Sequence, residues 1–137
     1  MALDQRFFDS WSPRALAALR LVAAFLYLQH GTAKLFHVPH VAEFDSLNAL
    51  SLIGFAGVLE ITGSLLLLLG LFTRPVAFIL AGEMAVAYFR VHIHMGPWAF
   101  PLLNGGEITV LYCFFFLYLV VAGAGPFSLD GAMRHKA

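Results

Sequence analysis

Three ionisable residues, Arg20, Glu60 and Glu83, interrupt long apolar runs of the chain. At the centre of a membrane-crossing helix each would cost about 2.5–3.5 kcal/mol, so each is expected to turn from lipid and meet a partner on a neighbouring helix. Arg20, Ala24, Tyr27, Gly31 and Lys34 recur every three or four residues, which makes one polar stripe on a helix, with His30 on its flank. Gly57, Glu60 and Ser64 share a face in the next run, and Glu83, Ala87 and Arg90 share one in the third. Small residues beside a charge let another helix come close. The spacing predicts a polar interior lined by Arg20, Tyr27, Lys34, Glu60, Glu83 and Arg90, with Arg20 or Lys34 as the partner of Glu60. Two uses fit such an interior. Buried ion pairs set helix register. A site for a polar head group, a proton or a metal would instead exploit the perturbed proton affinities of buried carboxylates.

Asn104-Gly105-Gly106-Glu107 opens the last apolar run. Asn104 is a natural N-cap, and Glu107 stands where it can reach back to the cap's own N–H, as in a capping box. The same four residues admit a second reading. Gly105 and Gly106 leave backbone N–H groups uncovered at the positive end of a helix, where an oxyanion or a quinone carbonyl would be received. His37-x-x-His40 and His92-x-His94, with His30, Glu43, Asp45 and Glu107, offer nitrogen and oxygen donors of the kind zinc, copper or iron accept, although loop histidines at such spacings are more often only solvated. The aromatic run Tyr112 to Tyr118 reads first as packing and lipid contact, and second as a wall against which a quinone ring would rest.

The elements that must position these residues follow from composition. Of 137 residues, 61% are hydrophobic and 12% charged, and the mean hydropathy is +0.83, more apolar surface than a soluble core of this size absorbs. A hydrocarbon layer of about 30 Å needs about 20 helical residues, so four spans and short loops use the whole chain as one domain, residues 1–137. Ser12-Pro13 reads as a helix start, and the spans are expected at about residues 15–36, 50–72, 75–91 and 105–124. The polar start of the chain does not read as a cleaved signal peptide, and Leu3, Phe7 and Trp11 suggest a short interfacial helix. Arg6, Arg14, Arg74, Arg134 and Lys136 fall on one side of this arrangement and only Lys34 and Arg90 on the other. The positive-inside rule then places both termini in the cytoplasm and five of the six histidines in the outer half. Balanced charge, with eight basic and eight acidic residues, gives no reason to expect nucleic acid, and the single Cys113 excludes an intrachain disulfide.

Arg20 with His30-Gly31-x-x-Lys34, Gly57-x-x-Glu60, Gly70-Leu71-x-Thr73-Arg74-Pro75, Glu83-Met84, Asn104-Gly105-Gly106-Glu107 and Gly123-x-Gly125-Pro126-x-Ser128-x-Asp130 resemble the DoxX family over nearly the whole chain. That resemblance implies a four-helix protein of the bacterial plasma membrane. Related proteins include a subunit of an archaeal thiosulfate:quinone oxidoreductase and components linked to oxidative-stress defence and redox-protein maturation. Together with the buried charges it implies a membrane component of a redox system, touching quinone or holding a partner oxidoreductase, alone or as a homo-oligomer. In that reading Arg20, Tyr27, His30, Lys34, Arg90, Asn104, Gly105 and Gly106 would hold a head group, and Glu60, Glu83 and Glu107 would exchange protons. No nucleotide or haem motif is present, so electrons would come from a partner or a bound cofactor. A non-enzymatic assembly protein is the alternative. A carrier is less favoured, because four short spans show no inverted repeat.

Overall fold

The computed structural model describes residues 2–134, with side chains from Asp4 onward. The Leu3 side chain and Lys136, which entered the expectations above, lie outside the described residues. Regular structure among the described residues is all helical. The helices are α1 (Ala2–Phe36), α2 (Leu52–Leu69), α3 (Thr73–Arg90), α4 (Pro101–Asn104), α5 (Glu107–Ala122) and α6 (Leu129–Arg134), with 3₁₀ turns at Ala42–Phe44 and His92–His94. Leu52–Leu69 and Thr73–His94 are long and apolar enough to cross a bilayer, and Glu107–Ala122 is a shorter apolar helix. The chain forms two compact units, one running to Thr73 and rejoined by the segment from Ala124, the other spanning Arg74–Gly123.

In the first unit α1 and α2 pack antiparallel, because the buried faces anticipated from spacing meet. Ala17, Arg20, Ala23, Ala24, Tyr27, Gly31 and Ala33 are buried on α1, and Gly54, Gly57, Glu60, Gly63, Ser64 and Leu67 on α2. Glycine sets the closeness. A Cβ at Gly31 would stand 2.8 Å from the Gly57 carbonyl oxygen and 2.9 Å from the Ile61 nitrogen, so the two backbones nearly touch there.

Ser12-Pro13 does not start a helix. Pro13 lies inside α1, which is continuous from Ala2, so the expected interfacial helix and first span are one element. Proline removes one backbone donor, and the turns before it are held locally. The Phe7 ring lies 5.6 Å from Phe8 and 6.0 Å from Trp11, and the Ser10 hydroxyl donates to the Phe7 carbonyl at 2.8 Å. Helix α2 begins where Ser51 Oγ accepts from the Gly54 N–H. It ends at Gly70, whose left-handed φ of 63° lets the Leu71 N–H turn back to the Leu66 carbonyl. The segment after Pro126 contains α6. Ser128 Oγ accepts from the Gly131 N–H at 3.1 Å and starts that helix.

Candidate functional site

Glu60 sits on the α2 face that Gly57 leaves open, opposite the last turns of α1. Its Oε1 lies 2.5 Å from Lys34 Nζ; the glutamate side chain is 2% exposed and the lysine 14%. Lys34, not Arg20, is therefore the partner of Glu60. Phe44, carried by the 3₁₀ turn after α1, lays its ring 5.9 Å from the ammonium and narrows its access to solvent. Ser64 is one turn beyond Glu60 on α2, fully buried. Glu60 Oε2 and Ser64 Oγ are both buried and neither has a hydrogen-bond partner among the described residues. Tyr27, buried on α1, has its ring 6.2 Å from His30, which is on the exposed side of the helix. The arrangement sets a carboxyl group against an ammonium in an apolar place and leaves one carboxyl oxygen without a hydrogen-bond partner among the described residues.

Arg20 was expected to hold a head group, and the geometry corrects that expectation. Nε donates to the Ala124 carbonyl at 2.9 Å, Nη2 to Phe127 at 3.0 Å, and Nη1 to Leu68 at 3.0 Å and also to Leu67. The Leu67 and Leu68 carbonyls lie in the last turn of α2, where that of Leu67 also accepts from the Gly70 N–H, and those of Ala124 and Phe127 lie in the loop before α6. A planar guanidinium with five donors in a fork suits this task, and four of its hydrogen bonds go to backbone. Gly70 is required beside it twice over, since a side chain there would collide with Ser128 and approach Arg20 Nη1 to 3.2 Å, and its φ is left-handed.

Asp130 completes this junction. Its Oδ1 accepts from the Phe72 N–H at 2.8 Å and its Oδ2 from the Thr73 N–H at 2.9 Å, while its own N–H donates to the Gly70 carbonyl. Burial by itself would push the Asp130 carboxyl up, but the Thr73 and Phe72 N–H groups and the Arg134 charge outweigh it and hold the carboxyl below the ordinary aspartate range. Since the folded-state pKa is below that of the unfolded chain, the stabilisation is complete above about pH 4 and is lost as pH falls through the folded value. Asp130→Ala should lower stability by about 1–2 kcal/mol at neutral pH, the scale of a lost cap. The gap from the parent protein should narrow in acid below about pH 4 in thermal-denaturation midpoints. A gap that stays constant to pH 2 would show that the carboxylate is not the stabilising form.

In the second unit Asn104 does not cap a span. It ends α4, Gly105 follows with a left-handed φ of 70°, and α5 begins at Glu107 with no side-chain cap, so the expected capping box is not formed. The turn at Gly105 separates Asn104 from α5, and the Asn104 amide is used elsewhere. Asn104 Nδ2 donates to the Tyr88 hydroxyl and the Pro97 carbonyl, each at 3.1 Å, and Oδ1 accepts from the Gly106 N–H at 2.9 Å. The Tyr88 hydroxyl donates to the Trp98 carbonyl. His92 Nδ1 lies 3.2 Å from the Asn104 carbonyl and Nε2 3.0 Å from Thr109 Oγ1. This network ties the loop after α3 to the start of α5. Gly106 is buried beneath Tyr88, where a Cβ would come within 2.6 Å of the ring, so its N–H does not face an open cradle.

The remaining expected site residues lie on several elements. Glu83 is half-buried on α3, Arg90 is exposed at its end, and Glu107 and Gly105 are exposed near the start of α5. His40 Nε2 is 2.9 Å from Asp45 Oδ1 and His37 Nδ1 is 3.9 Å from it, all on the exposed loop after α1. His92 belongs to the Tyr88 network and His94 is exposed. Among the described residues no group of three His, Cys, Asp or Glu side chains is arranged to hold a metal ion. Sequence reasoning missed the structural work of Asp130. Its signal was present, since Ser128 and Asp130 are an N-cap hydroxyl and a first-turn acid.

The family model described as DoxX matches residues 15–93, a stretch that includes Arg20, Lys34, Glu60 and Glu83. The chain is also 46% identical over 131 residues to an uncharacterized protein of Haemophilus influenzae, an alignment taking in 93% of this chain and 97% of that relative. No solved structure matches. With the family model spanning more than half of its length, the chain belongs to the DoxX family.

Proposed function

We propose that the chain is a multi-pass protein of the bacterial plasma membrane, a bundle of four spans with both termini in the cytoplasm. In that membrane it serves a redox system, receiving a small lipid-soluble molecule such as a quinone at the Lys34–Glu60 pair, or presenting that pair to a partner oxidoreductase. The observation that supports this reading is the buried pair itself, with Glu60 Oε2 and Ser64 Oγ lacking partners among the described residues. Ionisable groups inside a span are costly and commonly mark pathways or sites. A quinone would supply the electron chemistry, and the chain would supply a proton acceptor at Glu60 steadied by Lys34. Purified protein extracted from native membranes should retain a lipid-soluble redox compound at near-stoichiometric level by mass spectrometry, and Glu60→Gln should lose it. A reporter fused after Ala137 should read cytoplasmic, and cysteines placed near His40 and Trp98 should be labelled from outside.

A second reading has its own support. Arg20, Asp130 and Asn104 are spent on backbone groups, as expected of a protein whose polar residues build a scaffold for assembly. A parent protein that carries no such compound, yet co-purifies with a redox partner that Glu60→Gln still binds, would favour it.

A further inference from the structure

Building on the reading of Lys34–Glu60 as a site, we infer that Glu60 Oε2 and Ser64 Oγ together bind a neutral hydroxyl group, one O–H that donates to the carboxylate and accepts from the serine. The argument rests on charge and on hydrogen-bonding roles. Glu60 Oε1 already faces the Lys34 ammonium at 2.5 Å, so the carboxylate is balanced and a second cation would be repelled by Lys34. An anion would meet the carboxylate and would bring no donor for it. What Oε2 lacks is a donor, and what Ser64 Oγ lacks is a partner of either kind.

Residues four apart on one helix face have Cβ atoms about 6 Å apart, so the Glu60 and Ser64 side chains are neighbours on α2 and one small group can meet both. An alcohol, a phenol or water has the required pairing of one donor and one acceptor at a single atom. An amine cation and a carboxylate do not, and of a quinone and its reduced form it is the quinol, with its phenolic O–H, that does. The close approach of α1 at Gly31 and the burial of both side chains limit the bound part of the ligand to a small group.

The test uses the full chain in lipid nanodiscs and four simple probes: phenol, toluene, benzoate and benzylammonium. Saturation-transfer NMR should detect saturable binding of phenol alone. Ser64→Ala should weaken it about 10-fold, one hydrogen bond's share of affinity, while Ser64→Thr, which keeps the hydroxyl, should retain it. Where water already fills the position, infrared difference spectra on exchange into ¹⁸O-water should show a shifted O–H band that disappears in Ser64→Ala, which supports the same chemistry from the other source. Binding of benzoate or toluene comparable to phenol, or neither phenol binding nor a Ser64-dependent water band, would overturn the inference. Phenol binding in a protein that carries no redox compound from the membrane would leave the inference standing and sink the proposed redox function.

Discussion

Replacing Arg20 by lysine should be nearly as damaging as replacing it by leucine, and both variants should accumulate poorly or melt far below the parent protein in detergent. The expectation follows from what the guanidinium holds: four backbone carbonyls, those of Leu67, Leu68, Ala124 and Phe127, reached from three nitrogens. Hydrogen bonds to charged groups contribute about 1.5–3 kcal/mol each, and stranding a buried carbonyl adds a desolvation penalty on the same scale. Even with strong non-additivity the loss is on the order of 4 kcal/mol or more, a large part of a typical folding free energy of about 5–15 kcal/mol. Lysine keeps the charge but offers one nitrogen where arginine offers a planar fork, so it recovers only a fraction. A lysine variant with a near-parental thermal midpoint would show that Arg20 acts through its charge alone and would return it to the set of candidate ligand contacts.

Glu60→Gln and Lys34→Met should each destabilise the protein markedly, and the double variant should be less damaged than the sum of the two. Removing one member of a buried ion pair leaves an uncompensated charge, which costs about 3–5 kcal/mol where burial is complete. With Lys34 14% exposed, the single losses should fall toward the lower end of that range. Replacing both members removes both charges, and a coupling of about 0.5–3 kcal/mol is expected from the thermal-shift cycle. Arg20 provides the control, since no hydrogen bond or ion pair joins it to Glu60 among the described residues and its cycle with Glu60 should be close to additive. Additive losses for Lys34 and Glu60 would mean that the carboxylate finds its stabilisation elsewhere, and the site built on the pair would fall with it.

The helical character of the chain, the faces of α1 and α2 and the candidate partners of Glu60 were legible in the sequence, because each follows from local periodicity. Charge and glycine every three or four residues in an apolar run fix which side of a helix is buried, whatever it packs against. Which base meets which acid was not legible. Arg20 and Lys34 lie on the same stripe of α1, and only the crossing of α1 over α2 sets Lys34 beside Glu60 and Arg20 beside the end of α2. The same limit explains Asn104. A cap and a loop tie use one side chain and one spacing, and the left-handed turn at Gly105 together with Tyr88 and Pro97 decided between them. Asp130 carries the lesson furthest, since it is a first-turn acid of α6 by sequence and accepts from N–H groups almost sixty residues away, at the start of α3. Local patterns record what a helix must bury. The pairing of backbone ends with distant side chains depends on loop closure and chain crossing, which one-dimensional spacing does not encode.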